Sequence, residues 1–352
     1  MTPRRRLPFL DGLRGIAALA VMAFHFNIFF LPQAQIFELL PFLTRAYLSV
    51  DLFFILSGFV MAYVYGNRLS YDRKSHWFEF SRARFLRIYL LFFVSSLSMT
   101  ILFLLFRTGL PGVTFSDRSL LLQPLLLQQW CGLSWNYPSW SISTEAEAYV
   151  YFIFFAGYLL RGKHPALLAV SCFATLLALC VAKGGSLNCY SGISALIRTI
   201  SEFSLGVLLY RAHLKWIGLR RTWTPALSVF LILAGKTTNL DALIVSGLGC
   251  FIFYGVNATG AFALLLNSSP LIALGNWSYS IYMWHAPIHY AVMGALNVAG
   301  YPSETLTKST ARLLILLTGL VVISFSATSY RYIELGVRHS VVSLGRRQHS
   351  AA

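Results

Sequence analysis

Leu10 to Leu31 reads LDGLRGIAALAVMAFHFNIFFL, a run long and apolar enough to cross a bilayer as one helix. Yet it carries Asp11, Arg14 and His25. Arg14 and His25 stand about eleven residues apart, which at about 100° per residue is three turns plus about 20°. On a helix both side chains therefore leave one face, about 16 Å apart along the axis. A charge at mid-helix costs about 2.5 to 3.5 kcal/mol or more in hydrocarbon, so such residues face a protein interior or a wet cavity and mark function. Arg14 alone is as readily explained by snorkelling to the headgroups. The pair on one stripe favours function.

Further apolar runs follow at 47–66, 86–106, 146–160, 166–182, 193–210, 223–236, 240–256, 271–296 and 312–332. The chain is 57% hydrophobic and 11% charged, where a soluble domain carries about 25% charged residues. This predicts an all-α fold: a polytopic integral membrane helical bundle of about ten transmembrane helices. The runs 223–236 and 240–256 are the least well marked, being short and closely spaced. The net charge of +16 does not form one nucleic-acid patch, because the basic residues recur between the spans. Ten spans with both termini cytoplasmic place 20 Lys and Arg inside and 7 outside, with Arg198 left in the sixth span. Three arginines precede the first span and no small-residue cleavage site follows it, which reads as an uncleaved signal-anchor. Residues 1–340 read as a single transmembrane domain and 341–352 as a short basic cytoplasmic tail.

In that topology four spans carry polar residues to one level in the outer half. They are His25, Asp51 in SVDLFFILSGF, Glu145 in WSISTEAEAYVYF, and His285 in SYSIYMWHAPI. Singly, Asp51 suits a helix cap, Glu145 an interfacial carboxylate and His285 a satisfied bundle histidine. Four at one depth favour a shared polar cavity. On the cytoplasmic side Arg84 and Arg87 share a helix face at the base of the third span, a phosphate clamp or a positive-inside anchor. Arg198 and Glu202, four residues apart, suggest a structural bridge. His289 lies one turn beyond His285, but no third ligand is evident and no metal is expected. Cys131 and Cys189 both fall outside, where a disulfide and two unlinked thiols are equally consistent with the sequence.

Taken in order, LDGLRGIAALAVMAFHF, DLFFILSGFVM, Arg84-x-x-Arg87, PSWSISTEAEAYVYF and SYSIYMWHAPI resemble the membrane acyltransferase-3 family, from Pro8 to about Glu334. The resemblance implies transfer of an acyl group, most often acetyl, from cytoplasmic acyl-CoA to a hydroxyl of a sugar or lipid-linked glycan on the other membrane face. It makes His25 the essential histidine and Arg14 its partner. Arg84 and Arg87 become the acyl-CoA-binding pair, with acetyl-CoA the donor and no metal required. Trp140, Ser141 and Glu145 match the tryptophan-serine-glutamate motif, and His285 the late tyrosine-histidine motif. Members commonly have two adjacent glutamates where this chain has Glu145-Ala146-Glu147, and some carry a fused esterase-like domain that is absent here. A bacterial inner membrane is the expected location, with membrane lipid around the bundle. Whether the protein forms a homodimer is left open.

The chemistry agrees. A sugar hydroxyl must lose its proton as it attacks, and a histidine with an ordinary pKa of about 6.5 suits that task. Asp51 or Glu145 would fix its tautomer. Ser141, Trp140 or a tyrosine hydroxyl would stabilise the oxyanion. Arg14, between clamp and base in depth, would hold the donor's extended arm. Direct transfer and a transient acyl-histidine are both compatible with these residues. The rival from another class is a transporter of a glycan or lipid precursor, against which the absence of an internal two-fold repeat counts.

Overall fold

The computed structural model describes residues 7–71, 73–106, 117–132, 134–216 and 223–336. The arginines at 4–6 and the basic tail at 341–352 lie outside the described residues. The described residues are mostly helical and contain no strand. Each of the ten apolar runs falls on a helix: α1 Pro8–His25, α2 Ser49–Tyr71, α3 Arg73–Phe106, α4 Trp140–Arg161, α5 Pro165–Ala182, α6 Gly192–Lys215, α7 Thr224–Thr238, α8 Asp241–Gly255, α9 Ser269–Val298 and α10 Lys308–Ser329.

Six of these segments are long and apolar enough to cross a membrane, those of α1, α2, α3, α5, α6 and α10. The other four fall short of that standard for visible reasons. α7 and α8 have 15 residues each, about 22 Å of rise against a hydrocarbon core of about 30 Å. α4 and α9 carry the motif residues, Glu145 and Glu147 in one and His285 and His289 in the other, which lower their hydropathy.

The described residues gather into two compact units. One comprises those of 1–17, 47–80 and 144–275, the other those of 18–46, 81–143 and 276–352.

In the first unit α2 and α6 meet backbone to backbone. A methyl on Gly58 would collide with the Phe203 carbonyl, and one on Gly206 with the Ile55 carbonyl. Only glycine permits that approach. Toward the N-terminal ends of the same two helices, Asp51 on α2 meets Arg198 on α6. Arg198 Nε donates to Asp51 Oδ1 at 2.9 Å and Nη2 to Oδ2 at 2.5 Å. Nη1 donates to the Cys189 carbonyl at 3.0 Å. Glu202, the expected partner one turn on, stands 3.7 Å from Nε. The fork geometry of a guanidinium favours the bidentate partner, so the bridge runs first to Asp51 and only second to Glu202.

In the second unit α9 contains Pro287, which has no N–H for the Met283 carbonyl one turn back. Asn136 takes over that carbonyl, its Nδ2 donating at 2.9 Å, and it also reaches Ser95 Oγ on α3 at 3.3 Å. The segment before α4 is thereby pinned to α9 beside the late histidines. Gln128 donates to the Ser139 carbonyl at 2.7 Å and Ser143 to the Leu126 carbonyl at 2.5 Å, closing the same segment on itself.

All five cysteines are free thiols, Cys131 and Cys189 included. Burial raises both of these thiols above the ordinary cysteine value, against the opposing pull of Arg118 at Cys131 and chiefly Arg198 at Cys189. They stay protonated and slow to oxidise. Labelling of the denatured, non-reduced protein should therefore modify five thiols; three, rising to five after reduction, would establish a bridge instead.

Candidate active site

α1 brings both residues of the first stripe, and its end is unusual. After His25 the helix widens into a π turn over Phe26–Phe30, closed by the Leu31 N–H donating to the Phe26 carbonyl at 3.0 Å. Such turns are rare and recur at functional sites, because one extra residue in the turn re-aims the side chains around it. Phe26 and Phe30 are buried, and Phe29 and His25 are half-buried.

Against this turn α9 sets His285 and His289, both fully buried. The His25 and His285 rings lie parallel, 5.0 Å apart with 7° between their planes, and His25 Nδ1 is 2.9 Å from His285 Nε2. The hydrogen-bond partners fix which nitrogens carry protons. His285 Nδ1 lies 3.2 Å from the Ile281 carbonyl, which can only accept, so Nδ1 bears the proton. Neutral His285 then offers a lone pair at Nε2, and His25 Nδ1 must donate to it. His25 is left with a lone pair at Nε2, the atom a base requires. By the same reasoning His289 donates from Nδ1 to the His285 carbonyl at 3.1 Å and keeps its lone pair at Nε2.

Asp51 or Glu145 is expected to fix the tautomer of His25, but His25 Nδ1 is engaged by a histidine. Asp51, buried, has both oxygens bound by Arg198. Glu145 Oε1 accepts from Ser57 at 2.8 Å and from Tyr149 at 2.5 Å. Depth leaves the direction of each side chain around its helix undetermined, so it does not by itself name a partner.

Of the expected oxyanion donors, Trp140 opens α4 and Ser141 follows it. Tyr282 Oη donates to the Pro138 carbonyl at 2.8 Å, so its oxygen accepts from Ser141 Oγ at 2.9 Å. Both hydroxyls are spent on each other and on the backbone. Arg14 is half-buried on α1, Arg84 half-buried and Arg87 exposed on α3.

One aromatic residue of the site has no signal in the sequence. Tyr137 stands in a short turn, Tyr137–Ser139, with no periodicity to place it. Its ring meets His25 edge-on at 4.9 Å, and lies 5.9 Å from His285 and 6.0 Å from His289. Among the described residues no group of three metal-binding side chains is placed to hold an ion.

The comparisons with known proteins converge on one chemistry. The acyltransferase domain model matches residues 7–329. An acyltransferase of Streptomyces mycarofaciens, MdmB, is 30% identical over 99% of this chain and 95% of its own length. The O-acetyltransferase OatA of Staphylococcus aureus is 25% identical over 95% of this chain, which spans only 57% of that protein. No solved structure matches. The family match and the relatives' names make this chain an enzyme, and six of its described helical segments are long and apolar enough to cross a membrane. The chain belongs to the acyltransferase-3 family, as an O-acyltransferase of the membrane.

Proposed function

We propose that this enzyme moves an acetyl group from cytoplasmic acetyl-CoA to a hydroxyl of a sugar or lipid-linked glycan at the outer face of a bacterial inner membrane. The observation that carries the reading is the hydrogen-bonded series from the Ile281 carbonyl through His285 to His25, which leaves a lone pair at His25 Nε2. In the proposed step that nitrogen takes the acceptor's hydroxyl proton as the oxygen attacks the thioester carbonyl. The carbon–sulfur bond then breaks, and the departing thiolate takes the proton from the His25 imidazolium. Charge on the imidazolium is shared with His285 through the Nδ1 bond. The relatives' names support acyl and acetyl transfer, and the aromatic wall of Phe26, Phe29 and Tyr137 supports a site that keeps water from the thioester.

Arg84 and Arg87 would hold the donor's phosphates.

Two measurements test the proposal. Membranes from a strain deleted for the gene and complemented with it, given acetyl-CoA, should release free CoA and gain ester-linked acetate on surface polysaccharide. Equal acetate in deleted and complemented strains would rule out the glycan acceptor. On the donor side, Arg84→Ala with Arg87→Ala should weaken acetyl-CoA binding to purified protein by about 10- to 100-fold, the loss of a charge-assisted contact of about 1.5 to 3 kcal/mol. Lysines should restore it only in part, because the planar fork is gone. Unchanged affinity in the double variant would leave the pair as a membrane anchor.

A further inference from the structure

Acyl transfer through a tetrahedral intermediate needs a proton donor aimed at the carbonyl oxygen, and the hydroxyls around His25 can be sorted by what already engages them. Ser141 and Tyr282 are committed to each other and to the Pro138 carbonyl. His289 Nε2 is buried without a partner among the described residues, but its Nδ1 carries the proton, so Nε2 accepts and cannot donate. Tyr137 Oη is likewise buried without a partner among the described residues. An unpartnered buried hydroxyl is a net cost to the fold, so its retention beside the base asks for a ligand atom. The backbone holds it there: its neighbour Asn136 is bound to the Met283 carbonyl that Pro287 leaves open. Burial, with Tyr290 and Tyr282 adding to it, pushes the Tyr137 phenol well above its ordinary value, so it keeps its proton.

We infer that Tyr137 is the oxyanion donor: its hydroxyl hydrogen-bonds the acyl carbonyl oxygen as negative charge develops there, while His25 Nε2 holds the proton taken from the attacking hydroxyl. When the carbon–sulfur bond breaks, the carbonyl re-forms and the Tyr137 bond relaxes. The phenol donates a hydrogen bond throughout and transfers no proton. This inference rests on the acyl-transfer reading above.

The test is Tyr137→Phe, which keeps the ring and removes only the hydroxyl. It is assayed in membranes of the deletion strain, with acetyl-CoA as donor and the membranes' own glycan as acceptor. We expect kcat for CoA release to fall by about 10²- to 10³-fold, as for loss of one oxyanion donor, with KM for acetyl-CoA near that of the wild type. The unfolding midpoint of the purified variant should equal or exceed the wild-type value, since the lost hydroxyl had no structural partner. A wild-type rate in Tyr137→Phe would overturn the assignment. So would a lowered midpoint, which would reveal a structural bond, or a raised KM with unchanged kcat. If the wild type itself releases no CoA above the deletion background, the proposed reaction fails, whatever Tyr137 does.

Discussion

His25→Ala should lower acyl transfer by about 10²- to 10⁴-fold while the protein still inserts and accumulates near the wild-type level, because a positioned base contributes about that much. The ring is half-buried, so its loss should be felt more in rate than in folding. His285→Ala should fall between His25→Ala and the wild type. It leaves the base in place but frees its tautomer, so that Nδ1–H no longer has Nε2 of His285 to donate to. Acetate content of surface polysaccharide and CoA release, both scaled to protein level by immunoblot, give the ranking. A well-expressed His25→Ala protein with wild-type transfer would remove His25 from the mechanism, and His285 with it.

The largest loss of stability should come from Arg198→Met. Arg198 is 1% exposed and faces two carboxylates, Asp51 and Glu202, that are both fully buried. Removing the guanidinium leaves those carboxylates with no positive charge among their described ion-pair contacts, and breaking a buried pair in this way costs about 3 to 5 kcal/mol. Asp51→Asn should cost less, since Glu202 remains 3.7 Å away as counter-ion and the amide still offers an oxygen. Unfolding midpoints in detergent decide the order. Equal stability of Arg198→Met and the wild type would mean that the cluster contributes nothing to the fold.

Much of the helical layout was legible because apolar runs of membrane length leave few alternatives, and all ten runs fall on helices. The motif helices fell short of the hydropathy standard because the residues that identify them are the ones that lower it. In the site, the placing of His25 and His285 at one level anticipated two rings that turn out to be stacked. Height also groups Asp51 and Glu145 with them, and their hydrogen bonds run to Arg198 and to Ser57 and Tyr149. Rise per residue fixes height, whereas partners depend on rotation about each helix, and rotation is set by packing. Gly58 and Gly206 show the point: the glycines are visible in the sequence, but not that they face each other and so bring Asp51 to Arg198. The π turn was equally hidden, because Phe26–Phe30 has the composition of any apolar helix. Tyr137 could have been found only by knowing that Pro287 frees a carbonyl for the residue beside it.

The stacked imidazoles also bear on what the surrounding lipid must tolerate. A base oriented by a carboxylate keeps a permanent negative charge in the bundle between turnovers, and a lone buried ion carries a desolvation cost of several kcal/mol. In the mechanism proposed for His25 the orienting group is a neutral ring that ends on a backbone carbonyl, so the resting assembly would carry no net charge. In the proposed step charge would arise there only for the lifetime of the intermediate, as an ion pair of imidazolium and oxyanion whose opposite signs are created and erased together.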